Sequence, residues 1–452
     1  MRVQDIGYTP SPKFELDHLV DDVRRYQSLA AEFGRAEEAD RIVAATREAL
    51  EQKLADFDEL VSTAPAEPDE PETLADIHEA RPQGERRLLA EVPEDYLSRW
   101  RGSLLGRGAG CTLGAAVEFW SVDQMEAWGR QFDEEYPPTD FFSFARLPGS
   151  PRYIVGNTDD LRRGRMQYIP VDDDTAYTLI GLLTLEEHGP EFTPEQQAAT
   201  WQRNFPIHSE ENGSWGVFWG ERRFLQNLQQ GIEPRRAGRH RNPNVQSIAA
   251  WTRADAWGYA APGWPEKAAE LAFKDASLNH RRNGVYGTMF MAAAVSAAFA
   301  VDEPAEALEI ALQEIPKESL LAEGVRWAFD VSSQVSDYRD AARLVSERYP
   351  HMFEGHAINN ALYVVFGILL GGRDFTRVVG ETVAMGNDND CTSATAASIV
   401  GATIGLENVP AHWTEPFQGR MQNYLRDLPE FLEVDDIGER FVRQAKEVLG
   451  RS

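Results

Sequence analysis

Four glycines, Gly102, Gly106, Gly110 and Gly114, recur at every fourth position in the run GSLLGRGAGCTLGAAVEF. That spacing lines them along one face of a helix. A glycine inside a helix costs about 1 kcal/mol relative to alanine, so a stripe of four is tolerated where a second backbone must approach closely. The run predicts a helix packed tightly against another helix, and the rest of the chain agrees. Stretches 179–188, 268–276, 286–299, 304–310 and 359–370 carry Ala, Leu and Gly at helical spacing, whereas few segments alternate with period two. The expected fold class is all-α.

Before the glycine run, residues 14–61 read as two amphipathic helices, with Leu16, Leu19, Val20 and Val23 among Glu, Arg and Asp. A stretch rich in Pro and Glu follows at 64–71 (APAEPDEP) and reads as a spacer. The expected organisation is an N-terminal helical extension at 1–63, a linker at 64–91 and one large domain at 92–452, within what a 452-residue chain supports. A formal net charge of −28 repels phosphates, which excludes non-specific binding to nucleic acid or an anionic membrane. Two cysteines, Cys111 and Cys391, do not make a disulfide framework; each reads as a small buried residue. The first residues, MRVQD, lack the apolar core of a signal peptide, and the apolar runs are too short to span a bilayer. A cytoplasmic enzyme is expected.

Two aspartate clusters carry the chemistry. In the first, Asp172, Asp173 and Asp174 run directly into an apolar helix. Three adjacent carboxylates repel one another. A helix N-terminus offsets up to about 1 kcal/mol of that repulsion, and a bound cation offsets more. A helix cap with extra solvated acids is the competing reading of this cluster alone. The similar Thr158-Asp159-Asp160 precedes no apolar helix and reads as a surface turn. In the second cluster a tight turn, Gly386-Asn387, presents Asp388 and Asp390 before a helix of small residues, CTSATAASIVGATIG. Small side chains let that helix sit deep in a bundle and carry both aspartates inward, where carboxylates need pairing or a metal. Two such clusters predict one shared cation site, and all-oxygen ligands favour Mg²⁺, Mn²⁺ or Ca²⁺ over zinc. Glu118, just past the glycine helix, is placed to face a cavity.

A glycine-rich helix ending in Glu118, then Asp-Asp-Thr at 173–175, then Gly-x-Asp-x-Asp at 386–390 resembles the ADP-ribosylglycohydrolase family, from about residue 92 to the C-terminus. The resemblance implies a compact orthogonal helical bundle around a binuclear Mg²⁺ or Mn²⁺ centre, and cleavage of an N- or O-glycosidic bond at a ribose. By motif, Asp172, Asp173, Asp174, Asp388, Asp390 and Cys391 are the implied metal ligands, with Asp172 and Cys391 standing where the family commonly has Thr or Ser. Glu118 and Asp390 are the implied catalytic residues.

One departure bears on the substrate. The family's Gly-Asn-Gly-x-x-Met-Arg loop cradles a diphosphate, while the matching stretch here is Ser247-Ile-Ala-Ala-Trp-Thr-Arg253. Arg253 is kept and the glycines are gone, so backbone amides approach phosphate less easily. The basic run RRAGRHR at 235–241 is either a replacement anion site or a solvated loop. Downstream, DASLNH at 275–280 resembles the family's Ser-x-x-Thr-His segment, and NGVYG follows at 283–287. Together with Arg253, His280, Asn283 and Tyr286 are candidates to line the substrate pocket, a satisfied core histidine being the other reading of His280. The implied activity is hydrolysis of an ADP-ribosyl small molecule or an ADP-ribosylated protein. The alternatives are an N-glycosidase acting on a simpler nucleoside or nucleotide, and a non-catalytic metal-dependent binding protein.

Overall fold

In the computed structural model the glycine helix, Tyr96–Ala115, lies antiparallel against the small-residue helix, Asn389–Ile404. Their register can be read from the glycines. A Cβ on Gly102 would lie 2.4 Å from the Gly401 carbonyl oxygen, on Gly106 2.8 Å from that of Ala397, on Gly110 2.3 Å from that of Ser393, and on Gly114 2.4 Å from that of Asn389. The stripe is thus a backbone-on-backbone seam of just over three turns, from Gly102 to Gly114. Because the helices are antiparallel, the seam delivers the end of one, with Glu118 just beyond it, to the start of the other, where Asp388 and Asp390 stand. Gly114→Ala is expected to destabilise by more than about 2 kcal/mol through overpacking, although alanine is the better helix former. Thermal unfolding checks this: the Tm should fall, and a rise would mean that the seam yields.

The structure describes residues 13–63, 67, 69–145, 147–153, 155–205, 217–350 and 352–450, with side chains from Leu19 onward. The reading of the first residues and of Leu16, and spacer positions 64–66 and 68, lie outside that set. The chain divides into two units, 1–66 with 349–351, and 67–348 with 352–452.

The first unit holds two helices, Lys13–Glu32 and Ala36–Ser62, joined at Gly34, whose φ of +78° suits glycine. Gln27 donates to Asp40 across the pair at 2.8 Å. Two helices alone cannot cover a full apolar stripe, and Leu19, Tyr26, Phe33, Ile42, Phe57 and Leu60 are exposed.

The second unit is helical throughout, with two small antiparallel two-stranded sheets among its described residues, 151–152 with 156–157 and 420–422 with 431–433. The all-α expectation holds. The helices begin a few residues before the apolar periodicity because caps extend them. Asp172 caps Asp173–His188, Pro265 opens Pro265–Ala276, and the His356 side chain accepts from the Ile358 N–H to start Ala357–Gly371. Of the stretch expected as a linker, 69–91 is fastened to this unit. Leu74–Ala80 is a helix with Ile77 fully buried. Arg81 and Arg86 reach the buried Glu314 at 2.7 and 3.0 Å, and the Leu88 and Leu89 amides bond Gly263. A buried carboxylate needs such cations, a constraint that Pro- and Glu-rich composition does not reveal.

Candidate functional site

Asp172 is the N-cap of its helix: its Oδ1 accepts the Asp174 N–H at 3.1 Å, meeting one of the donors a helix start leaves open. Its other oxygen lies 2.5 Å from the Arg152 guanidinium. The Tyr153 hydroxyl donates to Asp173 at 2.6 Å and approaches Asp172 at 3.2 Å. Asp174 is fully buried, with Oδ1 paired at 2.7 Å to Arg107, which also bonds the Asp174 carbonyl at 2.9 Å and Asp255 at 2.7 Å.

The second cluster follows the Gly386-Asn387 turn, both residues at positive φ. Asp388 and Asp390 are each 3% exposed. The Asp388 amide donates to Asn360 at 3.4 Å, and Asp390 accepts the Cys391 amide at 2.9 Å. The Phe119 amide bonds the Asn387 carbonyl at 2.9 Å, which ties the segment after Glu118 to this turn.

These elements converge into one row of overlapping triads. Cys111, Asp172 and Asp174 form one; Asp174, Asp390 and Cys391 the next; Glu118, Asp388 and Asp390 the third, with ligand atoms within 4.8 Å of one another in each. Asp174 and Asp390 are the shared members. Oδ2 of Asp174 and Oδ1 of Asp388 are buried without a hydrogen-bond partner, although the Cys391 thiol acts on Asp174 as a weak donor. An orphaned buried carboxylate oxygen is costly.

The electrostatics follow. Burial first, then mutual repulsion, raises Asp174, Asp388 and Glu118 well above the usual carboxyl range, and Asp173 likewise despite the Tyr153 hydroxyl. Asp390 is pushed up to about 6 for the same reasons. Burial opposes ionisation of Asp172 too, but the Arg152 charge and hydrogen bonds outweigh it and hold its carboxyl below the ordinary value. Burial and mutual repulsion favour the neutral form of these carboxyls, and a nearby cation would favour the charged form.

The folded pKa of Asp390, about 6, stands above the ordinary aspartate value of 3.8. The folded chain therefore holds a proton that the unfolded chain gives up, and this group's stabilisation is full below the unfolded pKa and lost as pH rises through the folded one. Denaturant unfolding of metal-stripped protein at about pH 4 and about pH 7 should show stability falling with pH, and falling less in Asp390→Asn. Equal loss in both would remove Asp390 as a source.

Among the described residues, five of the six expected ligands, Asp172, Asp174, Asp388, Asp390 and Cys391, enter the triads, and Glu118 joins them. Asp173 does not; its carboxylate is engaged by Tyr153. The expected substrate-binding residues make their bonds elsewhere. Arg253 is fully buried between Glu221 at 2.6 Å and Asp275 at 2.5 Å. His280 is buried, bonded to Ser247 at 3.0 Å and Asn279 at 2.8 Å, a satisfied core histidine. Asn283 bonds Glu70 and the Leu321 amide, and the Tyr286 hydroxyl donates to Pro71.

The sequence reading missed Arg107, Arg152 and Tyr153, whose partners lie far away along the chain. It took Cys111 for packing. It also missed an aromatic wall beside the row. Phe119, 44% exposed, lies 6.0 Å from Trp219, which lies 5.2 Å from Phe353; Tyr153 contacts Phe218 at 6.1 Å and stacks on Tyr424 at 5.5 Å. Phe119, Tyr153 and Trp219 all hold positive φ, strain of the kind that collects at functional sites.

Comparison with known proteins returns one family: the model for ADP-ribosylglycohydrolase matches residues 92–445. Curated proteins gave no match. Among solved structures, one described as an ADP-ribosylglycohydrolase-related protein complex aligns at 18% identity and a TM-score of 0.49, over 79% of this chain and 99% of that one.

Proposed function

The chain belongs to the ADP-ribosylglycohydrolase family, and on that premise we propose that it is a metal-dependent hydrolase cleaving an N- or O-glycosidic bond at the ribose of an ADP-ribosyl substrate. The observation that carries this is the row of buried carboxylates with orphaned oxygens on Asp174 and Asp388. Six carboxyls, those of Glu118, Asp172, Asp173, Asp174, Asp388 and Asp390, stand against two guanidinium groups, those of Arg107 and Arg152. The donor set therefore fits divalent cations. The all-oxygen triad of Glu118, Asp388 and Asp390 suits Mg²⁺ or Mn²⁺, and the shared Asp174 and Asp390 suit two ions side by side. Held by these residues, such ions would supply Lewis-acid polarisation and would lower the pKa of a water beside the sugar.

The protein's own groups do the rest. Glu118, partly open and with raised proton affinity, accepts the proton of the attacking water as oxygen bonds to the anomeric carbon. The glycosidic bond breaks with oxocarbenium character, and the leaving atom takes a proton from solvent. The wall of Phe119, Trp219 and Phe353 offers flat faces to a base or planar leaving group. Trp219→Ala should raise KM about tenfold with kcat little changed, as loss of a stacking contact does. Steady-state kinetics separate the two parameters, and a fall in kcat alone would move Trp219 into the chemistry.

One observation favours the simpler nucleoside or nucleotide as an alternative substrate. Ile248–Arg253 is a buried 3₁₀ segment, and Arg253 is spent on Glu221 and Asp275, so the family's diphosphate cradle has no counterpart there. Catalysis is assigned to 92–452, with 1–63 as an accessory extension. Among the described residues no helix is long and apolar enough to cross a membrane. The cytoplasmic setting remains a proposal, supported by two free, buried cysteines.

The test is mass spectrometry of products from ADP-ribosyl-arginine, ADP-ribosyl-serine and simple nucleosides, with Mg²⁺ or Mn²⁺ and an Asp390→Ala control. Free ADP-ribose made by the intact protein alone is expected. Base release from nucleosides alone would establish the alternative, and full activity in Asp390→Ala would sink both. Metal binding without any turnover would leave a binding protein.

A further inference from the structure

The basic run at 235–241 does not act as a unit. Arg235 pairs with Glu195 at 2.8 Å, and Arg239 approaches Glu72 at 3.7 Å. Arg241 instead stands by the helix Trp219–Gln229, where burial and then the charges of Arg222 and Arg241 lower the Arg223 pKa. Among the described residues neither Arg222 nor Arg223 has an ion-pair partner. The chain has 73 acidic residues to 45 of Lys and Arg, yet no described carboxylate offsets this pair, and an anion would relieve the repulsion. Position ties the arginines to the site. In the first two turns of the helix Gly220, Glu221, Phe224 and Leu225 are buried, whereas Phe218 and Arg222 are exposed and Trp219 and Arg223 half-buried. Residues three and four apart share a helix face, so the aromatic wall of Phe218 and Trp219 continues one turn, about 5.4 Å, into two guanidinium groups. A Cβ on Gly220 would lie 3.3 Å from Asn242 Nδ2, which holds the chain just after Arg241 against the same helix. At the other side of the wall, Trp219 lies 6.0 Å from Phe119, the neighbour of Glu118.

We propose that Arg222, Arg223 and Arg241 form the subsite for the phosphate groups of a nucleotide substrate whose ribose lies at the carboxylate row, in place of the glycine loop that Ile248–Arg253 lacks. The inference deepens the proposed function and rests on the row being where the sugar reacts. Guanidinium forks match phosphate oxygens two at a time. A ribose carrying a diphosphate on its 5′ carbon extends from the row past the wall to the arginines, and an uncharged nucleoside leaves them empty. The subsite therefore selects a nucleoside diphosphate over a nucleoside.

Isothermal titration calorimetry of chelator-stripped full-length protein compares ADP with adenosine, two probes that differ only in the diphosphate. ADP should bind at least about tenfold more tightly, the scale of one charge-assisted hydrogen bond, and should weaken as salt is raised. Arg222→Gln/Arg223→Gln should lose that advantage while adenosine affinity and Tm stay unchanged. If the double variant does not fold, Arg222→Gln alone, at an exposed position, should still weaken ADP. Arg235→Gln removes the same charge from an arginine already paired with Glu195 and should leave ADP binding as it was. Equal affinity for ADP and adenosine in the intact chain, full ADP affinity in the double variant, or an equal loss in Arg235→Gln would overturn the proposal. ADP binding that depends on the two arginines, together with silence in the glycosidase assays, would defeat the hydrolase reading and leave the phosphate subsite standing. Glycosidase turnover unaffected by the double variant would do the reverse.

Discussion

Arg107→Met should destabilise the chain by about 3–5 kcal/mol, the scale on which removing one partner of a buried ion pair acts. The guanidinium is fully buried and serves two carboxylates, Asp174 and Asp255, each at 2.7 Å, as well as the Thr252 carbonyl at 2.8 Å. Methionine fills much of the same volume, so the loss reflects stranded polar groups rather than a cavity. Asp255 also accepts from Tyr259 and Ser398, and those hydroxyls replace only part of what the cation gave. Against a typical total stability of about 5–15 kcal/mol, the variant should be marginal. Denaturant unfolding should show a lower midpoint at unchanged slope. Divalent cation should restore part of the loss, because an ion compensates Asp174 and does nothing for Asp255. A loss below about 1 kcal/mol, the worth of an exposed pair, would mean that Arg107 does not neutralise the row.

Glu118→Gln should act in the opposite sense on stability and severely on rate. Burial and Asp390 raise the Glu118 pKa, so a neutral side chain there relieves repulsion, and the metal-free variant should melt higher than wild type near pH 7. In its proposed role of proton acceptor, Glu118 should account for about 10²–10⁴-fold in kcat, with KM changed far less. Calorimetry and steady-state kinetics on the same preparation check both. Higher stability with a large loss of kcat is the pattern of a carboxylate kept for function. Unchanged kcat would transfer the proton to another group.

What could be read from the sequence had short period or unusual local composition. The glycine stripe and the small residues from Thr392 to Ala397 each point to close backbone approach, and the register of Gly102 on Gly401 and Gly114 on Asn389 joins those two local signals. The aspartate clusters were visible because adjacent carboxylates are costly wherever they are buried. Arg107 was not visible, since its partners Asp174 and Asp255 lie 67 and 148 residues away, and one arginine inside a glycine run carries no periodic signal. Cys111 was hidden for the same reason: its neighbours Asp172 and Asp174 are brought near by the fold. The place of Arg253 in a family segment puts it at the pocket. In the fold Glu221 and Asp275 claim it, and glutamate and aspartate at those positions announce nothing locally. The stretch at 69–91 had the composition of a spacer, yet Arg81 and Arg86 must neutralise the buried Glu314.

The most direct test of the central claim is release of free ADP-ribose from ADP-ribosyl-arginine or ADP-ribosyl-serine by chelator-treated protein, before and after Mn²⁺ is returned. The account predicts no release from the stripped protein, recovery with Mn²⁺, and no recovery in Asp390→Ala. Release that is indifferent to chelation, or equal in Asp390→Ala, would contradict a metal-dependent glycosidic centre built on this row.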